Sequence, residues 1–416
     1  MALPSNPSRH IAIVGAGYAG MAAAVTLAEK GTRVTVLESA PTPGGRARRV
    51  TTSGRELDNG QHILIGAYTE LLRLMALVRV PEDAVLRLPL ELRYADGFSF
   101  RSLWLPAPLG LLAGLLFNLK LPFSERWGAI RFMMFLQRNA FQIKGGGSVA
   151  DLLRRHGQNG AIGHYLWRPL CVSALNTPVE RASAQVFANV VRDSLAGTRE
   201  ASDLLLPRVD LSKLFPEPAC DYVSSRGGEI RLNSPVKDLK ELEDDFDAVI
   251  VAVGPHQLKT LMPAPAFEYQ PIYTCYLQYP ENVQLRFPML GFSAGLVQWA
   301  FDRGRLMSDT QGERGRIACV ISAQGDHQQM TQEEIAATCH RELKAARPQL
   351  PDPVWTQVIA EKRATVACVP GVESLELKRN NLFLAGDYTY PDYPPTLEAA
   401  VRSGVRAAYG ALETTR

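Results

Sequence analysis

Ile11-Ala12-Ile13-Val14-Gly15-Ala16-Gly17-Tyr18-Ala19-Gly20, then an apolar helical stretch to about Lys30, then Val34-Thr35-Val36-Leu37-Glu38: this stretch decides the fold. The run Ile11 to Val14 is short and continuously apolar, as a parallel strand covered on both faces must be. In the turn after it, Gly15 permits a tight bend, Gly17 lets backbone approach a pyrophosphate, and Gly20, after Ala19, lets the helix pack closely on the strand. The helix beginning near Tyr18 offers unpaired N–H groups and the positive end of its dipole, both favourable to an anion. Glu38, about 20 residues beyond the glycines, is placed to accept a hydrogen bond from an adenosine ribose. Strand, turn, helix, second strand and terminal acid in that order predict a Rossmann-type α/β domain that binds the ADP half of a dinucleotide.

The residues after Glu38 narrow the dinucleotide to FAD. Pro43-Gly44-Gly45-Arg46-Ala47-Arg48 supplies a second glycine pair and a guanidinium suited to a further phosphate, although taken alone it also reads as a basic surface turn. Near the other end, Leu382-Phe383-Leu384-Ala385-Gly386-Asp387 is a buried strand running into Gly-Asp. The loop Tyr388 to Pro394 leads into a helix expected over Pro395 to Gly404, with proline in its first turn.

A glycine motif at the start, paired with Gly-Asp and a helix at the end, resembles the flavin-containing amine oxidase and phytoene desaturase superfamily. Within it, Leu57-Asp58-Asn59-Gly60-Gln61-His62-Ile63-Leu64-Ile65-Gly66-Ala67-Tyr68 and Trp167-Arg168-Pro169-Leu170-Cys171 with Ala174-Leu175-Asn176-Thr177-Pro178 are similar to the squalene-associated FAD-dependent desaturases, a family that includes hydroxysqualene dehydroxylases. The resemblance covers most of the chain. It implies cofactor contacts at Gly15, Gly17, Ala19, Gly20, Glu38, Gly44, Gly45, Arg46, Gln61, Gly386, Asp387, Leu397 and Glu398. It also makes Ile230 to Leu239 a strand whose backbone meets the adenine at Val236. The implied reaction reduces hydroxysqualene to squalene. Its needs are a proton donor at the hydroxyl, a dry tunnel for a long hydrocarbon, and an external electron donor, since no second G-x-G-x-x-G comes after Gly254.

Composition agrees with an enzyme of two parts. The 416 residues are 46% hydrophobic, enough for a substantial core, and the net charge of +3 with no long basic run gives no ground for nucleic-acid binding. Six cysteines, none in a C-x-x-C pair, point to buried thiols in a reducing compartment and to no metal site. The first strand begins within about ten residues of the start, and no signal-type apolar core precedes it, so a cytoplasmic protein is expected.

With its motifs at both ends, the FAD-binding domain is discontinuous: 1–70, 225–262 and 376–416. The α+β substrate domain then takes 71–224 and 263–375. Within it Ser102 to Leu119 is uncharged, but Pro106 and Pro108 leave only about 11 residues of clean helix, too short for a span. Phe123 to Gln142 mixes aromatic and Met residues with Arg126, Arg131 and Arg138. The region 102–142 therefore reads either as a peripheral membrane contact, at the inner face of the cytoplasmic membrane, or as an ordinary buried helix pair.

Of seven histidines only His62 lies in the family motif, and it is the candidate proton donor, the alternative being a satisfied structural histidine. Tyr388, Tyr390 and Tyr393 either line the flavin face or pack against one another. Three other readings stay open: a carotenoid desaturase running oxidatively, an amine oxidase, and a flavoprotein that only escorts a prenyl lipid. Attachment of FAD to a cysteine near the chain end is excluded, because the last cysteine, Cys368, precedes Gly386-Asp387.

Overall fold

The computed structural model describes residues 9–105, 109–372, 375–390 and 393–413. The opening motif builds the centre of a six-stranded sheet whose spatial order is Glu229–Arg231, Arg33–Leu37, His10–Val14, Ala248–Val251, Leu382–Leu384 and Lys378–Arg379. The first five strands are parallel, with Ile11 opposite both Val34 and Ala248, and the last turns back as an antiparallel hairpin. Side chains alternate along a strand. Ile11, Ile13, Val34, Val36 and Ile250 accordingly share a core with the helices Tyr18–Glu29 and Leu397–Glu413, while Ala12, Val14, Val249 and Val251 pack with Leu239, Phe246 and Leu258. The strand order reverses between His10–Val14 and Ala248–Val251, and the crevice at that reversal is where open α/β sheets bind ligands.

Two local expectations change. The strand expected from Ile230 to Leu239 is only Glu229–Arg231, and Val236 lies in the loop beyond it. Asn233 has turned to a left-handed φ of +52°, and Pro235 has no N–H to give a ladder. Instead the loop closes on the end of the second strand, with the Asn233 and Ser234 N–H groups donating to the carbonyls of Ala40 and Glu38. The last helix begins at Leu397 rather than Pro395, because the Thr396 hydroxyl accepts from the Ala399 N–H and caps it.

A second, antiparallel sheet runs in the order Met289–Gly291, Trp299–Asp302, Arg316–Ser322, Tyr269–Gln278, Trp355–Val366. One face, with Tyr273, Cys275, Leu277, Cys319 and Ile321, is covered by Ile335, Cys339 and Leu343 of the helix Gln332–Ala346. The other, with Tyr276, Trp299, Phe301 and Val320, shares the largest core with Phe132, Trp167, Leu175 and Phe187 from the helical segments. All six cysteines are free thiols. Packing does not respect the breaks at 70 and 225: Leu71 and Leu74 of Thr69–Leu77, and Phe215, Ala219 and Val223 around the helix Pro216–Ser225, belong to the core of the parallel sheet.

The region 102–142 forms the helices Leu109–Leu116 and Phe123–Arg138; Pro106 and Pro108 lie outside the described residues. Leu111, Leu115, Phe132, Met133 and Leu136 are buried, but Trp104, Phe117, Leu119, Phe123 and Trp127 are exposed. The region is thus core on one side and exposes large apolar side chains on the other. Among the described residues no helix is long and apolar enough to cross a membrane.

Candidate cofactor and active site

The two ends of the chain meet at the sheet reversal. Gly15, at φ +105°, lies against the end of Ala248–Val251, where an added Cβ would come 2.6 Å from the Ala252 carbonyl oxygen. A side chain on Gly20 would collide with the Gly15 carbonyl. The helix after Gly17 has no side-chain cap and no acid in its first turn, so its leading N–H groups remain free for an anion. Across from it the second glycine pair is held by the Gly44 N–H to the Ala16 carbonyl at 2.8 Å. A Cβ on Gly45 would lie 3.2 Å from Gly17 Cα. Two glycine backbones thus pack directly on each other beside the free N–H groups of the helix, a side-chain-free surface that fits a pyrophosphate. Beside it Glu38 is buried, one oxygen accepting from the Ala16 N–H at 2.7 Å and the other from the Ala40 N–H at 2.8 Å, which fixes the carboxylate at the mouth of the crevice.

Arg46 donates to Asp387 at 2.6 Å and to the Ala364 carbonyl at 2.6 Å, so the second glycine pair and the Gly-Asp motif are joined by an ion pair. Gly386 is fixed by its N–H to the Ser403 hydroxyl at 2.8 Å. Leu397 opens the last helix, two residues later than expected. Glu398 does not have a free carboxylate to offer a flavin: it is fully buried and accepts from the Glu70 N–H at 3.0 Å, the Leu71 N–H at 2.9 Å and Arg402 Nε at 2.7 Å. Its dipole partner is thus the N-terminus of Thr69–Leu77 as well as that of its own helix. The three tyrosines are engaged by packing: the Tyr388 hydroxyl donates to the Val253 carbonyl, and the Arg402 and Arg406 guanidinia lie over the rings of Tyr393 and Tyr390.

The family motif around His62 is anchored at almost every position. Asp58 accepts from the Leu211 N–H at 2.8 Å and from Arg303 at 3.0 Å. The Asn59 side chain donates to the Arg46 carbonyl at 2.9 Å, tying this loop to the second glycine pair. Gln61 Oε1 accepts from Arg303 at 3.1 Å. His62 Nδ1 lies 3.2 Å from the Gly60 carbonyl; since that oxygen only accepts, Nδ1 carries the proton, and Nε2 has no partner among the described residues. Burial pushes the His62 pKa below its ordinary value; the Gly60 carbonyl opposes this in part, and the Arg46 charge adds to it. The imidazole is neutral at pH 7.

The second family motif is structural. Asn176, at a left-handed φ, donates to the carbonyls of Gln270 and Pro271 and to Thr365, and accepts from the Ala323 N–H. It fills the break in pairing between Gln270 and Ile272, and the Thr177 hydroxyl accepts from the Cys368 N–H. Arg303, Tyr276 and Glu313 went unmarked in the sequence. The signal available was Asp58, since a carboxylate inside an apolar motif demands a buried cation somewhere.

The sequence pattern of the flavin containing amine oxidoreductases matches residues 18–412, and the chain belongs to that family. It is a FAD-dependent oxidoreductase. Among curated relatives, the hydroxysqualene dehydroxylase of Sinorhizobium fredii is 28% identical over 98% of this chain and 99% of its own length. That of Rhodopseudomonas palustris is 28% identical over 96% and 98%. A probable zeta-carotene desaturase of Synechococcus elongatus is 24% identical over 97% and 98%. Among solved structures, an oxidoreductase from Methanosarcina mazei superposes with a TM-score of 0.72 at 14% identity, covering 96% of this chain and all (100%) of that one. A putrescine oxidase variant superposes with a TM-score of 0.69 at 17% identity, covering 97% and 98%. These superpositions confirm the fold expected from the sequence.

Proposed function

We propose that the enzyme reduces hydroxysqualene to squalene. The observation that carries this reading is the end-to-end similarity to several hydroxysqualene dehydroxylases, stronger in identity than that to the carotene desaturase. Residues Gly15, Gly17, Ala19, Gly20, Glu38, Gly44, Gly45, Arg46, Gln61, Gly386, Asp387 and Leu397, with the loop at Val236, would hold the cofactor. Bound in reduced form, FAD supplies a hydride. The overall change is hydroxysqualene plus a proton plus a hydride giving squalene plus water, and an external donor must restore the reduced flavin.

The protein's task is to protonate the departing hydroxyl and to keep water from the allylic cation left behind. His62 is the candidate acid: Nδ1–H is held by Gly60, and Nε2 donates only when the ring takes up a proton. The bare apolar face at 103–134, with Arg101, Lys120, Arg131 and Arg138 exposed around it, is where this reading puts a membrane that dissolves the C30 substrate. That membrane would be the cytoplasmic one, met from its inner side.

Anaerobic photoreduction of the purified flavoprotein and then addition of hydroxysqualene tests the reaction. Return of the oxidised flavin spectrum with an equal amount of squalene in the extract supports it. Reduced flavin that persists beside bound substrate refutes it, and carotenoid precursors with oxidised enzyme become the next substrates to try.

A further inference from the structure

Within the proposed reaction, we infer that Arg303 is a positioning residue that sets the orientation of His62 from 241 residues away, through Asp58 and Gln61. Arg303 opens a one-turn helix, Arg303–Leu306, at the end of the strand Trp299–Asp302, and its side chain is 4% exposed. One guanidinium nitrogen, Nη1, reaches both Asp58 Oδ2 at 3.0 Å and Gln61 Oε1 at 3.1 Å. The opposite edge is fixed by Glu313, with Nε to Oε2 at 2.8 Å, and Glu313 is in turn held by Arg316 at 2.7 Å. Asp58 and Glu313 more than offset the effect of burial, so the guanidinium stays charged. The four side chains form a closed set of two cations and two anions, which is how buried charges persist.

The clamp grips the motif on both sides of Gly60. Gly60 has φ +130°, a conformation that gives the loop no stiffness of its own. Among the described residues the Gly60 carbonyl is the one hydrogen-bond partner of the His62 ring, while the His62 carbonyl accepts from the Gln61 amide at 3.3 Å. Where that carbonyl points is therefore set by its anchored neighbours: Asp58, whose own carbonyl accepts from the Tyr276 hydroxyl at 2.9 Å, and Gln61. Asn59 contributes a third anchor through the Arg46 carbonyl, and Arg46 is the charged group facing His62. A lysine at 303 could satisfy the charge of one carboxylate but has no planar fork with which to reach Glu313, Asp58 and Gln61 together.

Two variants separate positioning from stability. Gln61→Met removes the Arg303 contact together with the 3.3 Å bond from the Gln61 amide to the His62 carbonyl and leaves every ion pair in place; Arg303→Lys keeps the charge, loses the fork and leaves the Gln61 side chain intact. Each is prepared as FAD holoenzyme and read by thermal melting, by the NMR titration of His62, assigned against His62→Asn, and by the rate of flavin reoxidation with hydroxysqualene. With the clamp loosened, the buried His62 ring loses the Gly60 carbonyl that partly offsets burial, so its titration midpoint moves further down, and reoxidation slows on the order of tenfold or more. For Gln61→Met this happens with the melting temperature retained, and it is read on the FAD-loaded fraction.

An unchanged His62 midpoint in folded, FAD-loaded Gln61→Met overturns the inference, whatever Arg303→Lys does to stability. Should wild-type enzyme fail to turn over hydroxysqualene, the proposed reaction falls while the NMR comparison still decides whether Arg303 positions His62.

Discussion

His62 carries two opposing consequences of its burial. Its pKa lies below the ordinary 6.5, so at neutral pH the ring is an acceptor at Nε2 and a general acid only in its minor, protonated form. If it protonates the substrate hydroxyl, the rate rises as pH falls, with a midpoint below 6.5. His62→Ala should lose about 10² to 10⁴ in turnover, flatten that limb of the profile and keep its FAD. Stability moves the other way. Between 6.5 and the lower folded-state pKa the unfolded chain takes up a proton that the folded one refuses, so His62 opposes folding as pH falls through this window and has no such effect above it. Melting curves of wild type and His62→Ala across that window should diverge on the acid side, the variant being the less pH-sensitive. Glu398 makes a second residue-level case. Removing its carboxylate in Glu398→Ala strips two N–H groups and Arg402 of their acceptor, which should cost about 2–4 kcal/mol in urea unfolding. If the carboxylate serves the helix rather than the flavin, FAD affinity measured on the folded variant changes little; a tenfold loss there would return Glu398 to the cofactor site.

Among the elements, the glycine turn separates steric need from cofactor need. A methyl on Gly20 runs into the Gly15 carbonyl, so Gly20→Ala should damage the fold itself. A methyl on Gly17 meets only Gly45 Cα at 3.9 Å, so Gly17→Ala should melt like wild type as apoprotein while FAD affinity falls tenfold or more, because the added group occupies the space of the phosphates. Equal FAD affinity in Gly17→Ala would mean that the pyrophosphate does not pack against Gly17. These features were legible because they are local: a buried parallel strand writes a continuous apolar run, and a backbone cradle writes glycine. The strand expected to run through Val236 stops short because Asn233 and Pro235 break the ladder after Arg231. Arg303 left no trace in its own neighbourhood, since its partners Asp58 and Gln61 become neighbours only through tertiary folding. The second contact of Glu398 was hidden for the same reason: its own helix dipole can be read from sequence, but the approach of Thr69–Leu77 cannot.

At the scale of the whole molecule, the distribution of exposed apolar groups is the remaining anomaly. Of thirteen large apolar side chains exposed among the described residues, ten lie between Leu103 and Met134. Scattered apolar groups need no explanation, but a cluster in two consecutive segments does. Phe117 and Leu119 are 68% and 84% exposed, so replacing both with serine leaves the core intact while removing the groups that would enter a bilayer. Burying two such side chains contributes about 2–4 kcal/mol. Sedimentation with vesicles containing anionic phosphatidylglycerol should therefore show binding by wild type and a loss of at least about 30-fold in the double variant, with the melting temperature unchanged. Val354, 70% exposed and far along the sequence from this cluster, provides the control: Val354→Ser should bind as wild type does. Raising salt should weaken the part of the affinity that comes from Arg101, Lys120, Arg131 and Arg138 and leave the apolar part, so the double variant loses most of what high salt spares. Equal binding by wild type and the double variant would mean that the exposed face covers something other than lipid, and the route by which a C30 hydrocarbon reaches the site would have to be sought elsewhere on the surface.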